Sequence, residues 1–446
     1  MAWIFLCAAV LTVAGLQTAH AQAAQMQALF AFTTTNGINP YASLCIGSNG
    51  NFYGTTTGGG TNGGYGTVFE VTTNGTMTSL ASFSNTNGAD PQSVLTLGTG
   101  GNFYGTTTGG GTNGGYGTIF MMATNGLLTS LASFANTNGA YPYSGLTLGN
   151  DGNFYGTTYF GGSSGLGTVY KVTSNGMLTS LASFANTNGA NPHTGLTVGN
   201  DGNFYGTTTS GGTNGGYGTI FKVTTNGLLT SLVSFANSNG AYPQALLIAG
   251  KYGDFYGTTY YGGSNSLGTV FQVTTNGALT SLISFTGING ANPVAGLILG
   301  SDGKFYGTTY SGGGSNLGTA YELTTNGVLT PLVSFTSTNG AYPYAGLIPG
   351  SDGNFYGTAA NGGNGGNGTV FKIVVPPTLG AVSIFNHVFQ ATLNGLARPS
   401  LQIQTTTNLA TAWLVLTNLV FTNGFGQFTD STATNVPKRF YRTMAW

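Results

Sequence analysis

Charge is the scarcest property of this chain. Of 446 residues only nine are Lys or Arg and nine are Asp or Glu, 4% in all, with a formal net charge of zero. An ordinary soluble domain carries about 25%. Binding to a phosphate backbone needs a basic patch, and no charge run exists here to build one, so nucleic acid is excluded as a partner. Two Cys and three His are too few for a Cys/His metal centre, and no cofactor is expected. No segment keeps a helical period. The longest apolar run, Trp3 to Leu16, covers 14 residues, short of the roughly 20 that span a bilayer. The Gly-rich segments are not followed by Lys-Ser or Lys-Thr and open no helix, so they are not phosphate loops.

The N-terminal run reads as an address. Thr18-Ala19-His20-Ala21 follows it, and Ala19-x-Ala21 fits a small-residue cleavage site. Residues 1–21 are therefore expected to be a signal peptide, with Gln22 first in the mature chain. No Lys or Arg precedes the run, and the alternative is a short membrane anchor. The signal predicts a secreted or cell-surface protein. Its removal leaves Cys45 without a partner Cys, so stability must come from burial and hydrogen bonding.

What the chain has in abundance is Gly, with 78 residues, together with 24 Tyr and 28 Phe. They are arranged in a repeat. Phe-Tyr-Gly recurs with its Tyr at 53, 104, 155, 205, 256, 306 and 356, a period of 50 or 51. In residues 188–235, Gly195–Val198, Asn203–Thr208, Thr219–Val223 and Thr230–Phe235 read as four strands. Asn-Gly and Asp-Gly turns and one Gly-rich loop separate them. Four strands per unit is an antiparallel blade. The last unit ends at Pro376-Pro377 without a fourth strand, while Ala28–Phe32 precedes the first Phe-Tyr-Gly. An N-terminal strand that completes the seventh blade joins the ends and hides their edges. The expected fold is all-β: a seven-bladed β-propeller over residues 22–375, with a β-solenoid as the alternative.

The motifs Asp-Gly-Asn-Phe-Tyr-Gly-Thr-Thr, Gly-Gly-x-x-Gly-x-Gly-Thr-Val-Phe-x-Val and Asn-Gly-x-Leu-Thr-x-Leu run through residues 28–375. On these the chain resembles the GloVer (Gloeo_Verruco) tandem-repeat family of exported bacterial proteins. The resemblance implies export and often a C-terminal sorting segment, and no established activity. This chain departs from anchored members in ending Arg-Phe-Tyr-Arg-Thr-Met-Ala-Trp, without a hydrophobic helix and basic tail.

Residues 376–446 differ in composition and hold all three Arg. Leu401–Gln404, Ala412–Leu416, Gly426–Asp430 and Lys438–Arg442 read as strands of a small β-sandwich-like module. At about 70 residues its own core is marginal, and packing against the propeller is expected.

In a propeller the Asn-Gly-Ala-x-Pro turns and the Gly-rich loops share one face, and there the repeats differ. The x position holds Asn39, Asp90, Tyr141, Asn191, Tyr242, Asn292 and Tyr342. Two residues on stand Tyr41, Gln92, Tyr143, His193, Gln244, Val294 and Tyr344. Aromatic platforms beside amides and without charge suit neutral sugars. The candidate ligand-binding residues are therefore Tyr41, Asp90, Tyr141, Tyr143, His193, Tyr242, Tyr342 and Tyr344; local packing of Tyr beside Pro is the competing reading. Phe and Tyr of Phe-Tyr-Gly are expected in the core. Asp151, Asp201, Asp302 and Asp352 are expected to serve Asx-Gly turns. Glu70 and Glu322 are expected at the rim.

Catalysis is poorly supplied. Glycoside hydrolysis usually needs two facing carboxylates, and the variable face offers Asp90 alone. No G-x-S-x-G presents a nucleophile, and His193 reads as a variant of the Tyr/Gln position. The expectation is a monomeric, exported, non-enzymatic binding or structural module, with polysaccharide or another envelope component as partner and no membrane span once the signal is gone. The alternatives are a carbohydrate-active lyase or hydrolase, or a structural spacer.

Overall fold

Seven four-stranded antiparallel sheets carry the repeat, and each is explained by its burial pattern. The computed structural model describes residues 9–12, 15–18, 23–385, 388–408, 412–421, 424–433 and 438–445. Blade 1 runs outward through Cys45–Ile46, Phe52–Thr56, Thr67–Val71 and Met77–Ser82. Blades 2 to 6 repeat that order. The second strand is buried at every position in six of the seven blades, because neighbouring sheets cover both of its faces. In blade 7 the outer strand is Gln25–Ala31, paired antiparallel with Thr369–Val374. The N-terminal strand thus joins the last sheet.

The Phe-Tyr-Gly motif carries the contact between sheets. Its two rings point to opposite faces of one strand. Each Tyr lies on the Phe of the next blade: Tyr53 on Phe103, Tyr155 on Phe204, Tyr205 on Phe255, with centroids 4.3, 4.2 and 4.3 Å apart. Tyr356 of blade 7 lies on Phe52 of blade 1 at 4.2 Å, so the two ends of the array meet. The glycine is needed for close approach. A Cβ on Gly206 would stand 2.6 Å from Cζ of Phe221, its cross-strand partner. A second set of rings follows each outer strand, as in Phe83 edge-on to Phe120 at 4.9 Å.

Two features of the sheets go beyond the sequence reading. The outer strand carries a bulge in every blade, at Leu80 opposite Val68 and Phe69 in blade 1 and at its equivalents elsewhere. Bulges kink an edge and discourage further pairing. The turn acids do more than shape turns. Asp201 accepts from the Asn203 backbone N–H (3.1 Å), the Tyr205 hydroxyl (2.9 Å) and Lys222 (2.8 Å). In blade 1 the turn holds Asn49, and Glu70 supplies the carboxylate from the third strand, accepting from Asn49, Asn51 and Tyr53. Glu322 likewise pairs with Lys304 at 2.8 Å. These part-exposed glutamates replace or complement the turn acid, which gives their outward position a role.

The C-terminal module is two sheets face to face. One holds Thr378–Phe385, Val388–Asn394 and Phe425–Asp430. The other holds Arg398–Thr406, Leu414–Phe421 and Lys438–Ala445. The core between them includes Phe389, Leu393, Leu401, Ile403 and Phe428, with Tyr441 stacked on Phe389 at 4.6 Å. The first two strands were not read from sequence, and the strand expected at Ala412–Leu416 starts later and runs longer. Ala9–Thr12 and Gly15–Thr18 form a hairpin on this second sheet, Ala9–Thr12 pairing with Lys438–Ala445. The rest of the candidate signal, with His20, lies outside the described residues, as does His387.

The module docks on the Asp-Gly turns of blades 6 and 7. Leu396 enters the core that Tyr306 and Phe355 share. The Ala397 N–H donates to Ser301 Oγ at 2.6 Å. Buried Arg398 donates to the carbonyls of Val375 (3.0 Å) and Gly353 (3.4 Å).

Two predictions follow from this packing. Tyr170 and Tyr321 occupy, fully buried, the third-strand place that Phe holds in the other blades, and among the described residues their hydroxyls have no hydrogen-bond partner. Tyr170→Phe and Tyr321→Phe should each stabilise by about 1 kcal/mol, read as a raised urea midpoint at unchanged slope. Arg398→Ala leaves three carbonyls, those of Val375, Gly353 and Leu396, without this donor. It should cost about 2 kcal/mol and let limited proteolysis at Pro376-Pro377 release the module while the propeller resists.

Candidate functional site

The seven inner strands leave a space between them, and its wall follows from strand periodicity. Every second residue of an inner segment faces inward. The first inward position, directly after the turn Pro, holds Tyr41, Gln92, Tyr143, His193, Gln244, Val294 and Tyr344. The second holds Ser43, Val94, Gly145, Gly195, Leu246, Gly296 and Gly346. Together with Thr147, Ile248 and Ile298 deeper in, these enclose a cavity of about 820 Å³. Among the described residues, no lining side chain is Asp, Glu, Lys or Arg.

The structure divides the predicted site residues into two groups. Tyr41, Tyr143, His193 and Tyr344 stand on the cavity wall. Tyr41 meets Tyr344 edge-on at 4.6 Å, and Tyr310 reaches Tyr344 at 4.9 Å. Across blades 3 and 4, Tyr143 stacks on His193 at 4.8 Å and 16°, with Tyr159 edge-on to both. Two aromatic clusters therefore share one opening. Gln92, Gln244 and Val294 belong to the same ring; their place two residues beyond the variable turn position is the signal that finds them.

Asp90, Tyr141, Tyr242 and Tyr342 are not on this wall. They hold the x position of the turn, where the backbone is left-handed, with φ from 54 to 55°. Non-glycine residues pay about 1–3 kcal/mol for such conformations unless neighbours enforce them. Here the neighbour is the preceding Gly-rich loop: the Tyr141 N–H donates to the Tyr116 carbonyl at 2.9 Å, and the Asp90 N–H to the Tyr65 carbonyl at 3.1 Å. Tyr141 sits edge-on between Tyr116 and Phe160, and Tyr242 between Tyr217 and Tyr261, all at 6.1 Å. Tyr342 packs on Tyr310 at 5.0 Å. The backbone N–H groups of Asp90 and Tyr141 thus tie adjacent repeats, and the rings of Tyr141 and Tyr242 pack on loop aromatics while staying partly exposed.

The electrostatics of the wall follow from its lack of charge. Burial lowers the His193 imidazole to about 4, so it is neutral at pH 7. Burial, then the neighbouring phenols Tyr159 and Tyr141 and the Asp90 carboxyl, raise Tyr143. Burial and Tyr310 raise Tyr41 and Tyr344. Cys45, just below this wall on the same strand, is pushed up to about 12 by burial and is a thiol. The ring presents hydroxyls, amides and aromatic faces in their uncharged forms.

Residues 16–216 and 196–412 match the Gloeobacter/Verrucomicrobia repeat. The chain belongs to that repeat family. No curated protein matches it. Among solved structures it is similar to the extracellular domain of a hybrid two-component system from B. thetaiotaomicron, at 11% identity and TM-score 0.50. That likeness covers 96% of this chain and 56% of the other, so the chain spans little more than half of that relative. A surface component of the Porphyromonas gingivalis type-IX secretion system aligns at 14% identity and TM-score 0.48, over 95% of this chain and 58% of that one. A 6-phosphogluconolactonase-like protein from Bacteroides fragilis aligns at 17% and 0.46, over 90% and 100%. The first of these likenesses supports the propeller-like fold and nothing further.

The turn position yields a prediction. Asn39, Asn191 and Asn292 each donate Nδ2 to the carbonyl four residues after a motif Tyr, as Asn191 does to Tyr159 at 3.1 Å. Asp90 has no N–H to offer Thr57, the equivalent residue. Although Asp90 keeps solvent exposure, the surrounding walls withdraw enough water to raise its carboxyl. A raised acid binds its proton more tightly when folded, so its ionisation costs stability as pH rises through the carboxylate range. Asp90→Asn should stabilise by about 0.5–1 kcal/mol at neutral pH through the new bond. The gain over wild type should shrink as pH falls through the carboxylate range and the wild-type acid takes up its proton; urea midpoints at neutral and acidic pH measure it.

Proposed function

We propose that this protein is an exported, non-enzymatic binding module of the extracellular space or cell envelope that takes a neutral saccharide into the cavity between its inner strands. The observation that carries the reading is a cavity of about 820 Å³ walled by seven equivalent positions, rich in Tyr and Gln and free of charged side chains. Its size is that of a small-molecule site. Sugar C–H faces stack on aromatic rings, and their hydroxyls pair with amide and phenol groups. A cavity of this size suits a chain end or a short oligosaccharide better than the middle of a long polymer.

A binding role accords with the protonation states. A lyase that used Tyr143 as base would need its phenol lowered, and its surroundings raise it. His193 is a weak base when burial holds it near 4. The turn acids are engaged elsewhere, as Asp201 is with Tyr205 and Lys222, and Asp90, the acid beside Tyr143, raises that phenol rather than lowering it. Export rests on the candidate signal in residues 1–21.

The test is depletion of purified residues 22–446 by a panel of insoluble polysaccharides, followed by calorimetry with neutral oligosaccharides and an assay for released sugar. Selective binding without release is expected. Tyr143→Ala and Tyr344→Ala should each weaken it about tenfold, while Tyr141→Ala leaves it unchanged. Affinity should change less than about twofold between low and physiological salt, because no charge pair is screened. Released sugar would establish an enzyme, and absence of any binding would leave a structural spacer.

A further inference from the structure

The cavity wall is not uniform. Blades 5 and 6 line one side with Leu246, Ile248, Val294 and Ile298. The side formed by blades 3 and 4 presents Tyr143, His193, Thr147 and two glycines, Gly145 and Gly195. Leu246 stands where four other blades carry Gly, and on the wall of the central cavity it is 43% exposed. It lies over both neighbours: a Cβ on Gly195 would be 3.5 Å from its Cδ1, and one on Gly296 3.6 Å from its Cβ. The floor changes in the same direction. In blades 2, 3 and 4 a Thr hydroxyl donates to the Leu carbonyl of the next blade, as Thr147 does to Leu196 at 2.6 Å. Blades 5, 6 and 7 replace that Thr with Ile248, Ile298 and Ile348.

We infer that the cavity takes an uncharged amphipathic glycoside, with its sugar against Tyr143 and His193 and an aliphatic or aromatic aglycone against Leu246, Ile248, Val294 and Ile298. The inference rests on the saccharide reading above and adds the aglycone. A leucine left half exposed inside a cavity of uncharged groups gains most from an apolar ligand group that removes it from water. The polar sector of blades 3 and 4 adjoins the apolar sector of blades 5 and 6, where Leu246 reaches Gly195, so a single molecule with two dissimilar ends can lie against both.

The experiment is isothermal calorimetry with methyl, butyl and hexyl β-glucosides and β-galactosides, below their micellar concentrations, on residues 22–446. Affinity should rise about threefold per added methylene. Leu246→Gly, which installs the residue of four other blades, should flatten that slope, weakening the hexyl glycoside several-fold more than the methyl glycoside. Ile298→Thr, which installs the residue of blades 2 to 4, should reduce the slope as well, and it guards against a folding defect peculiar to one variant. Tyr143→Ala should lower affinity for the whole series and keep the slope. A slope near zero in the wild type, or one unaffected by both apolar-wall variants, would overturn the inference. The saccharide reading is judged separately, by the unsubstituted oligosaccharides, which carry no aglycone.

Discussion

The contact between a motif Tyr and the Phe of the next sheet is the interaction on which the rest depends. A four-stranded sheet of this composition has apolar residues on both faces and cannot bury them alone. Stacking Tyr53 on Phe103, and its equivalents up to Tyr356 on Phe52, covers both faces of every second strand. Each such pair contributes about 0.5–1.5 kcal/mol beyond simple burial. The contact also sets spacing, because the glycine that follows admits the cross-strand ring at a distance no side chain allows.

Once the spacing is set, the polar groups have prescribed work. The Tyr that stacks with its ring must satisfy its hydroxyl, and a carboxylate beside the turn does so in most blades. That the acid comes from Asp201 in one blade and Glu70 in another shows that its location matters and its parent strand does not. The few charges of the chain are concentrated in these pairs. The inner wall is left without charge, and the functional reading follows from that division.

Much of this was legible in the sequence. The period of 50 or 51 identifies the repeat, and the missing fourth strand before Pro376-Pro377 identifies the partner that Gln25–Ala31 supplies. The outer-strand bulges were not legible, since a bulge depends on how Leu80 and its equivalents pack toward the next sheet. In the C-terminal module, Phe389 to Asn394 alternates apolar and polar in phase with its burial, so this strand was legible in the sequence although it was not among the strands expected there.

The sequence by itself determined the all-β repeat, the near absence of charge and the variable positions beside each turn Pro, because these are properties of composition and period. It could not separate Tyr143 from Tyr141. Both are tyrosines two residues apart, and only the three-dimensional path of the chain sends them different ways. The left-handed backbone at Tyr141 turns its ring between two repeats, while the inner strand that begins after Pro142 aims Tyr143 at the cavity. Tertiary structure alone also placed Leu246, Ile248 and Ile298 on one wall, since residues 50 apart in sequence become neighbours only when the sheets assemble side by side.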